Sequence, residues 1–312
     1  MTYCSLSNRI QVHSVALNFI HLTQIEGIKQ QLTTDARVFL THLICMGWLR
    51  SLHTSTLVFD IAQFFSSLNY QLLPIILNKA DFDSHISFFF SDHLVNRQIQ
   101  YIWNSFVSPF FKANIGIEKG STLSLIFSVI YIASIFHIFE KRTKYLLLPI
   151  QIVTLSFVDD GLLISQEKSY EKSNMNIFCS YNIISSLFTQ FYLIIYLIIE
   201  HGKSKFFHFS RLRNNINLLL LDLHSLGGSL LYLKDIWKYH FFFDKKLLFW
   251  HYVHYYANKA LLTIKDMKML GNLNRGVISY TQISFVQNLF LIHFFIWFIV
   301  IVLQRSTAFS FT

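Results

Sequence analysis

Three aspartates sit in stretches otherwise too apolar to hold a charge. Asp60 follows Leu57-Val58-Phe59, and Asp159-Asp160 lie between Ser156-Phe157-Val158 and Gly161-Leu162-Leu163-Ile164. Ionised carboxylates are rarely buried without a partner, and two adjacent ones repel. A hard divalent cation resolves both difficulties, because Mg²⁺ takes carboxylate oxygens and leaves its other positions to water or phosphate. A turn between two apolar strands would put the paired carboxylates at a hairpin tip, beside a third from a neighbouring strand. Such a site suits two ions ~3.5–4 Å apart acting on a phosphoryl group. Taken alone, the Asp-Asp pair is better explained by a solvated turn, and Phe59-Asp60-Ile61 is a weaker signal still.

The elements that must position these residues follow from the hydrophobic pattern. Residues 57–61 and 206–210 read as strands, and 150–155 and 161–165 as strands flanking the Asp-Asp pair. Residues 70–107 read as helical with a break at 81–84; 169–198 and 258–270 also read as helices. Gly116 to Gly120 forms a loop, and Ser121 opens an apolar helix to about residue 139. The tetrapeptide Tyr-Leu-Ile-Ile occurs twice in tandem, at 192–195 and 196–199, a duplication expected to stay helical. No Pro-rich or Gly/Ser linker divides the 312 residues.

Composition excludes two classes. With 53% apolar and 14% charged residues, the chain has ample apolar surface to offset its ordering entropy, so it is not a disordered protein. Cys4, Cys45 and Cys179 are odd in number and far apart, so no disulfide scaffold or Cys-x-x-Cys zinc pair is expected. Mean hydropathy is +0.42. The fifteen-residue run 289–303 is uncharged, shorter than the about 20 residues a bilayer span needs. A membrane anchor at 285–303 is kept as an alternative, with buried core or an aggregation-prone tail preferred. Met1 to Arg9 is polar and no signal peptide is expected.

The net charge of +9 is concentrated: residues 203–275 hold twelve Lys or Arg against four Asp. Interleaved with Trp237, Tyr239, Phe241, Trp250, Tyr255 and Tyr256, this segment has the footprint of a polyanion partner. Its candidate phosphate contacts are Lys234, Lys238, Lys245, Lys246 and Lys259. A solvated basic face over aromatic core positions explains the same pattern.

The order of the boxes changes these odds. Between Asp60 and Asp159 lies Gly116-Ile117-Glu118-Lys119-Gly120-Ser121-Thr122-Leu123-Ser124. Phe59-Asp60-Ile61-Ala62-Gln63-Phe64-Phe65 resembles polymerase motif A of a reverse transcriptase. Residues 116–124 resemble motif B (G-x-x-Q-G-S-P-L-S-P), and Phe157-Val158-Asp159-Asp160 resembles the motif C box. Glu200-His201-Gly202-Lys203-Ser204-Lys205 with Phe207-His208-Phe209 resembles the strand that closes the palm. Further strings at 33–36, 139–142, 165–169 and 256–260 resemble fungal LINE-type (Tad-like) non-LTR retrotransposon polymerases, over roughly residues 20–290.

The resemblance implies an α+β fold: a right-hand polymerase palm, an antiparallel sheet with helices on one face, plus a helical thumb. Residues 1–50 would be a remnant of the fingers, 51–210 the palm, 211–283 a basic thumb-like segment and 284–312 an apolar tail. It implies RNA-directed DNA synthesis with two Mg²⁺ ions (Mn²⁺ in their place), held by Asp60, Asp159, Asp160 and the Ile61 carbonyl. Phe65 matches the aromatic gate against a ribose 2′-hydroxyl. Lys119, Gly120 and Ser121 would lie at the nucleotide, and Lys203 matches the lysine that acts as an acid near pyrophosphate. Partners would be an RNA template, a DNA primer or target, and deoxynucleoside triphosphates, with an intracellular location in nucleus or cytoplasm. No protein partner is inferable.

Several positions depart from the pattern: Gln31 for Arg, Lys119 for the motif B Gln, Ser66 and Leu125 for Pro, Thr122 for a small residue or Pro, and Tyr239-His240-Phe241 for Tyr-Leu-Gly-Phe. With most of the fingers and an upstream endonuclease lacking, the expectation is a truncated, drifted copy of weak or no activity. The alternative within this frame is a nucleic-acid-binding remnant without catalysis.

Overall fold

A computed structural model describes residues 3–21, 23–25, 33–69, 71–79, 81–94, 97–113, 116–145, 152–157, 159–195, 197–211, 236–239 and 241–270. In chain order the elements are α1 (Tyr3–Ala16), α2 (Thr33–Leu49), β1 (His53–Ala62), α3 (Phe64–Ser67), α4 (Leu72–Lys79) and α5 (Ser84–Leu94). There follow β2 (Gln98–Ile99), β3 (Ile102–Trp103), β4 (Phe106–Val107), β5 (Phe111–Lys112), α6 (Thr122–Tyr145), β6 (Ile152–Phe157), β7 (Asp160–Glu167) and α7 (Tyr170–Ile195). After β8 (Ile198–Ile199), a 3₁₀ turn (His201–Lys203) and β9 (Lys205–Phe209) come β10 (Ile236–Tyr239), β11 (Phe241–Asp244) and α8 (Trp250–Leu270). Two compact units divide the chain, Met1–Leu247 and Leu248–Thr312; residues 248–270, which include α8, are the described part of the second.

The fold is α+β. In the first unit β1 is the central strand of a five-stranded antiparallel sheet, with β7 on one side and β9 and β8 along the other; β6 pairs with β7 at the edge. Side chains alternate across a strand, so Leu57, Phe59 and Ile61 share one face of β1, where they join α6 and α7 in the main core with Ile130, Phe136, Tyr181 and Leu187. Thr54, Thr56, Val58 and Asp60 take the other face. At the Thr54 end that face meets α2: Gln166 Nε2 donates to the Leu43 carbonyl (2.7 Å) and to Thr54 Oγ1 (3.0 Å). At the other end Asp60 is partly exposed and meets Lys203.

Helix α6 is long and apolar enough to cross a membrane by length and composition, but 72% of its apolar window is buried inside the molecule. It packs against α1 and α7, as a core helix does. The run 285–303 lies outside the described residues.

Three elements differ from the sequence expectation. Residues 98–107, expected to be helical, instead form with 108–112 two small antiparallel pairs, β2 with β5 and β3 with β4. The inner hairpin turns at Asn104, whose φ of 53° is the left-handed conformation that asparagine tolerates. Residues 197–199 of the second Tyr-Leu-Ile-Ile copy are not helical: α7 ends at Ile195, and Ile198–Ile199 pairs with Ile61 and Ala62 as β8. Residues 1–50, read without elements, contain helices α1 and α2.

Candidate active site

The register of the sheet brings the carboxylates together. β1 and β7 pair without interruption from His53↔Glu167 to Asp60↔Asp160, so Asp60 and Asp160 face each other on the same side of the sheet. Phe157 pairs with Asp160 across β6 and β7, so the chain reverses between them and Asp159 stands in that turn. The turn is tied back to β1 where it matters, because the Ile61 N–H donates to the Asp159 carbonyl (3.2 Å). Ile61 is itself buried and pairs with Ile199.

Gly161 makes this packing possible. It stands opposite Phe59, and a Cβ there would overlap the Phe59 ring. That ring packs edge-on against Tyr181 and Phe188 of α7 and has nowhere to retreat.

A fourth group arrives from the segment after β8. The Glu200 N–H donates to the Asp60 carbonyl (2.8 Å), and the 3₁₀ turn that follows swings Lys203 back over the same residue. Lys203 Nζ lies 2.9 Å from Asp60 Oδ2 and 2.7 Å from Glu200 Oε2. Both carboxylates raise the Lys203 pKa, Glu200 most, so its ammonium is held protonated. The participation of Glu200 was missed from sequence; its signal was the Glu-x-x-Lys spacing directly after an apolar strand.

The Asp159 carboxyl is pushed above the usual aspartate range, first by burial. A hydrogen bond from its own backbone counteracts this, the charges of Asp160 and Asp60 raise it further, and Lys119 lowers it. Like-charged hard oxygen donors crowded at one strand end, with one held toward its neutral form by burial and then by its neighbours, are a donor set that suits Mg²⁺ or Mn²⁺. The residues fit a divalent cation.

The glycine loop reaches the site as well. The Ile117 N–H donates to the Phe65 carbonyl and the Gly116 N–H to the Leu68 carbonyl, both at 2.8 Å, which fastens the loop to the segment just after Asp60. Phe65 is half-buried against the core and edge-on to Phe64. Lys119 and Gly120 are exposed, and Gly120 has a φ of +99°, open to glycine without strain. Ser121 Oγ accepts the Leu123 N–H (3.3 Å) at the start of α6, as an N-cap does.

The basic residues are not gathered here. Lys245 accepts the Ser210 N–H on its carbonyl (2.9 Å), at the far end of β9. That end of the sheet pairs with Thr54, about 20 Å along β1 from Asp60 at the usual rise per residue. Lys246 is exposed in the same turn, its N–H bonded to Asp244. Lys259 lies on α8 in the second unit. Lys238 falls within β10, its side chain outside the described residues, as is Lys234 altogether. Arg211, which opens the basic segment, lies 4.6 Å over the Trp48 ring of α2.

No family model matches the sequence, and no curated protein does. Among solved structures the chain is similar to apo telomerase from Candida tropicalis, with 12% identity and TM-score 0.49 over 79% of this chain and 40% of that one. It is similar to the same telomerase truncated from its C-terminal domain, with 16% identity and TM-score 0.48 over 70% of this chain and 44% of that one. Telomerase from Candida albicans in complex with a TWJ fragment of telomeric RNA gives 13% identity and TM-score 0.42 over 70% and 36%. The chain spans less than half the length of these telomerases. Likeness this distant carries no residue roles across, and the site stands on its own geometry.

Proposed function

We propose that this chain is the palm, with flanking finger and thumb segments, of a reverse transcriptase of the non-LTR retrotransposon type. The observation that supports it is the meeting of Asp60, Asp159 and Asp160 at one end of the β1–β7 ladder, with the 116–121 loop fastened beside them. The substrates would be an RNA template, a DNA primer or target and deoxynucleoside triphosphates, handled inside the cell.

In this reading Asp60, Asp159 and Asp160, with the Ile61 carbonyl, hold two Mg²⁺ or Mn²⁺ ions. Bound there, such ions supply Lewis-acid activation of the primer hydroxyl and neutralise charge on the departing pyrophosphate. The chain's own residues orient the rest. Phe65, beside the loop, excludes a 2′-hydroxyl; Gly120 and Ser121 floor the nucleotide; Lys119 offers a cation. Lys203 Nζ carries the proton that the leaving group needs. It can give that proton only after leaving Glu200, because two carboxylates hold it charged.

Activity is weak in this reading, because Lys119 replaces the glutamine of motif B and Lys203 already occupies Asp60. Primer extension on poly(rA)/oligo(dT) with Mg²⁺ or Mn²⁺ tests it. Slow incorporation that disappears in Asp159→Ala supports the proposal; no incorporation by folded protein with either ion overturns it. One observation favours a non-catalytic nucleic-acid binder instead: Lys203 Nζ pairs with Asp60 Oδ2 at 2.9 Å, giving that carboxylate a cationic partner from the chain itself. Unaltered RNA–DNA binding by Asp60→Ala, with no synthesis by the parent chain, selects that second reading.

A further inference from the structure

A second cluster of metal-ligating side chains lies away from the aspartates. One ligand atom each from His21, His137 and Glu140 lie within 4.8 Å of one another. His21 comes from the connection after α1; His137 and Glu140 are three residues apart, on one face of α6. We propose that these three residues form a binding site for Zn²⁺ or a similar first-row divalent ion, which clamps the segment after α1 onto α6.

The surroundings are those of a built metal site, in which ligating imidazoles are oriented through their second nitrogen. His137 Nε2 lies 2.9 Å from the Phe19 carbonyl, so it carries the hydrogen and Nδ1 keeps its lone pair. His21 Nδ1 lies 2.7 Å from Thr23 Oγ1, while its Nε2 lies 3.2 Å from Glu140 Oε2. A hydroxyl can donate or accept, and Thr23 Oγ1 has a further partner in Thr154 Oγ1 at 3.3 Å. The proton of His21 can therefore move from Nε2 to Nδ1 when a cation takes Nε2, with Thr23 Oγ1 accepting it; the long bond from the Thr23 N–H to Nδ1 (3.4 Å) is given up in exchange. The other Glu140 oxygen is held by Lys144 Nζ at 2.7 Å.

The donor set selects the ion. Two neutral imidazoles and one carboxylate suit zinc, cobalt or nickel and disfavour Mg²⁺, which takes oxygen. His21 is buried, while His137 and Glu140 are partly exposed, which leaves solvent a fourth position. What the clamp would brace is also visible. Gln24 Nε2 donates to the Val129 carbonyl (3.0 Å), and Thr23 and Ile25 exchange backbone hydrogen bonds with Ser156 of β6 (both 3.0 Å). Ser156 leads directly into the Asp159 turn. The inference rests on this cluster and is independent of the polymerase reading.

The experiment uses the full chain, stripped with EDTA and titrated with Co²⁺ and Zn²⁺ in excess Mg²⁺, which occupies the aspartates. The expected result is one Co²⁺ per chain with tetrahedral d–d absorption, displaced by Zn²⁺ and lacking the thiolate charge-transfer band that cysteine ligation would give. His137→Gln and Glu140→Gln should each weaken binding at least tenfold, Thr23→Val should weaken it about tenfold, and Asp159→Asn should leave it unchanged. X-ray absorption of the Zn²⁺-loaded wild type, which needs no variant to fold, should show two imidazoles. A thiolate band, loss in Asp159→Asn, a zinc shell without imidazole, or no binding at one equivalent overturns the proposal.

Discussion

Asp60 on β1 and Asp160 on β7 are directly opposed partners in one antiparallel ladder. Opposed like charges on a sheet destabilise it, and this pair carries a third carboxylate, Asp159, beside it in the turn. Three acids gathered this closely are the donor set that the proposed cation site would use.

Neutralising the most strained of them should stabilise the empty site. The Asp159 pKa is raised in the fold, so the folded state holds more protons than the unfolded chain, and stability falls as pH climbs from the ordinary aspartate value through the folded one. Asp159→Asn removes that loss. Urea unfolding at pH 7 in EDTA should give a higher midpoint for the variant than for the wild type, and the ranking should reverse in saturating Mn²⁺. A lower midpoint in EDTA would contradict this.

Lys203→Met tests the cation already on Asp60. Lys203 is largely exposed, so its ion pairs should matter little to folding. Mn²⁺ affinity should rise, because the ion no longer competes with an ammonium, while any primer extension should fall. Isothermal titration and single-turnover extension measure the two effects; a fall in both would place Lys203 in support of the metal instead.

Gly161→Ala should be costly out of proportion to one methyl group. The new Cβ overlaps Phe59, whose ring is confined by α7, and overpacking of this kind costs about 1–3 kcal/mol. Because Phe59 precedes Asp60, metal affinity should drop with it. Urea midpoints and Mn²⁺ titration check both, and wild-type values for either would show that Phe59 can move.

His208 gives a pH dependence of its own. It is fully buried, its Nδ1 lies 2.6 Å from Ser55 Oγ, and its Nε2 has no hydrogen-bond partner among the described residues. Burial above all, then the charges of Lys245 and His53, lowers its pKa from 6.5 to about 3. The unfolded chain thus binds the extra proton between these values, and stability is lost as pH falls through that window, by up to about 1.4 kcal/mol per pH unit. His21, also held down by burial, acts in the same direction. Denaturation midpoints from pH 7 to 4.5 should fall steeply for wild type and less steeply for His208→Gln; parallel curves would remove His208 as the cause.

Lys245 and Lys246 should act as phosphate contacts rather than as part of the catalytic end. Replacing both with Ala should lower the slope of log affinity for RNA–DNA duplex against log salt by about two, with primer extension per bound complex unchanged. An unchanged slope would leave these lysines as a solvated turn.

Much of the site was legible because it depends on short apolar strands broken by acids. The turn at Asp159, the strand around Asp60 and the helix after Ser121 each carry a local signal, and their order supplied the rest. The strands within 98–107 were misread because two-residue strands are too short to show an alternation, and only Asn104 marked the turn. The second Tyr-Leu-Ile-Ile copy repeats the first yet pairs with Ile61 and Ala62; tertiary context overrides propensity in so short a run. The His21 cluster was invisible because more than a hundred residues separate its members and only His137 and Glu140 share a helix spacing. Lys245 and Lys246 entered through a charge count, which says nothing of direction.

The unbroken pairing from His53 to Asp60 also sets which kinds of sequence change this chain can absorb. A side chain can be exchanged along either strand and leave its neighbours pointing where they did. Deleting or inserting one residue between the turn and the far end would flip everything beyond it to the opposite face, as a one-step slip does in any pleated ribbon. Point substitutions can therefore accumulate for a long time around an intact acidic triplet, whereas a single added or lost codon in β1 or β7 would scatter it at once.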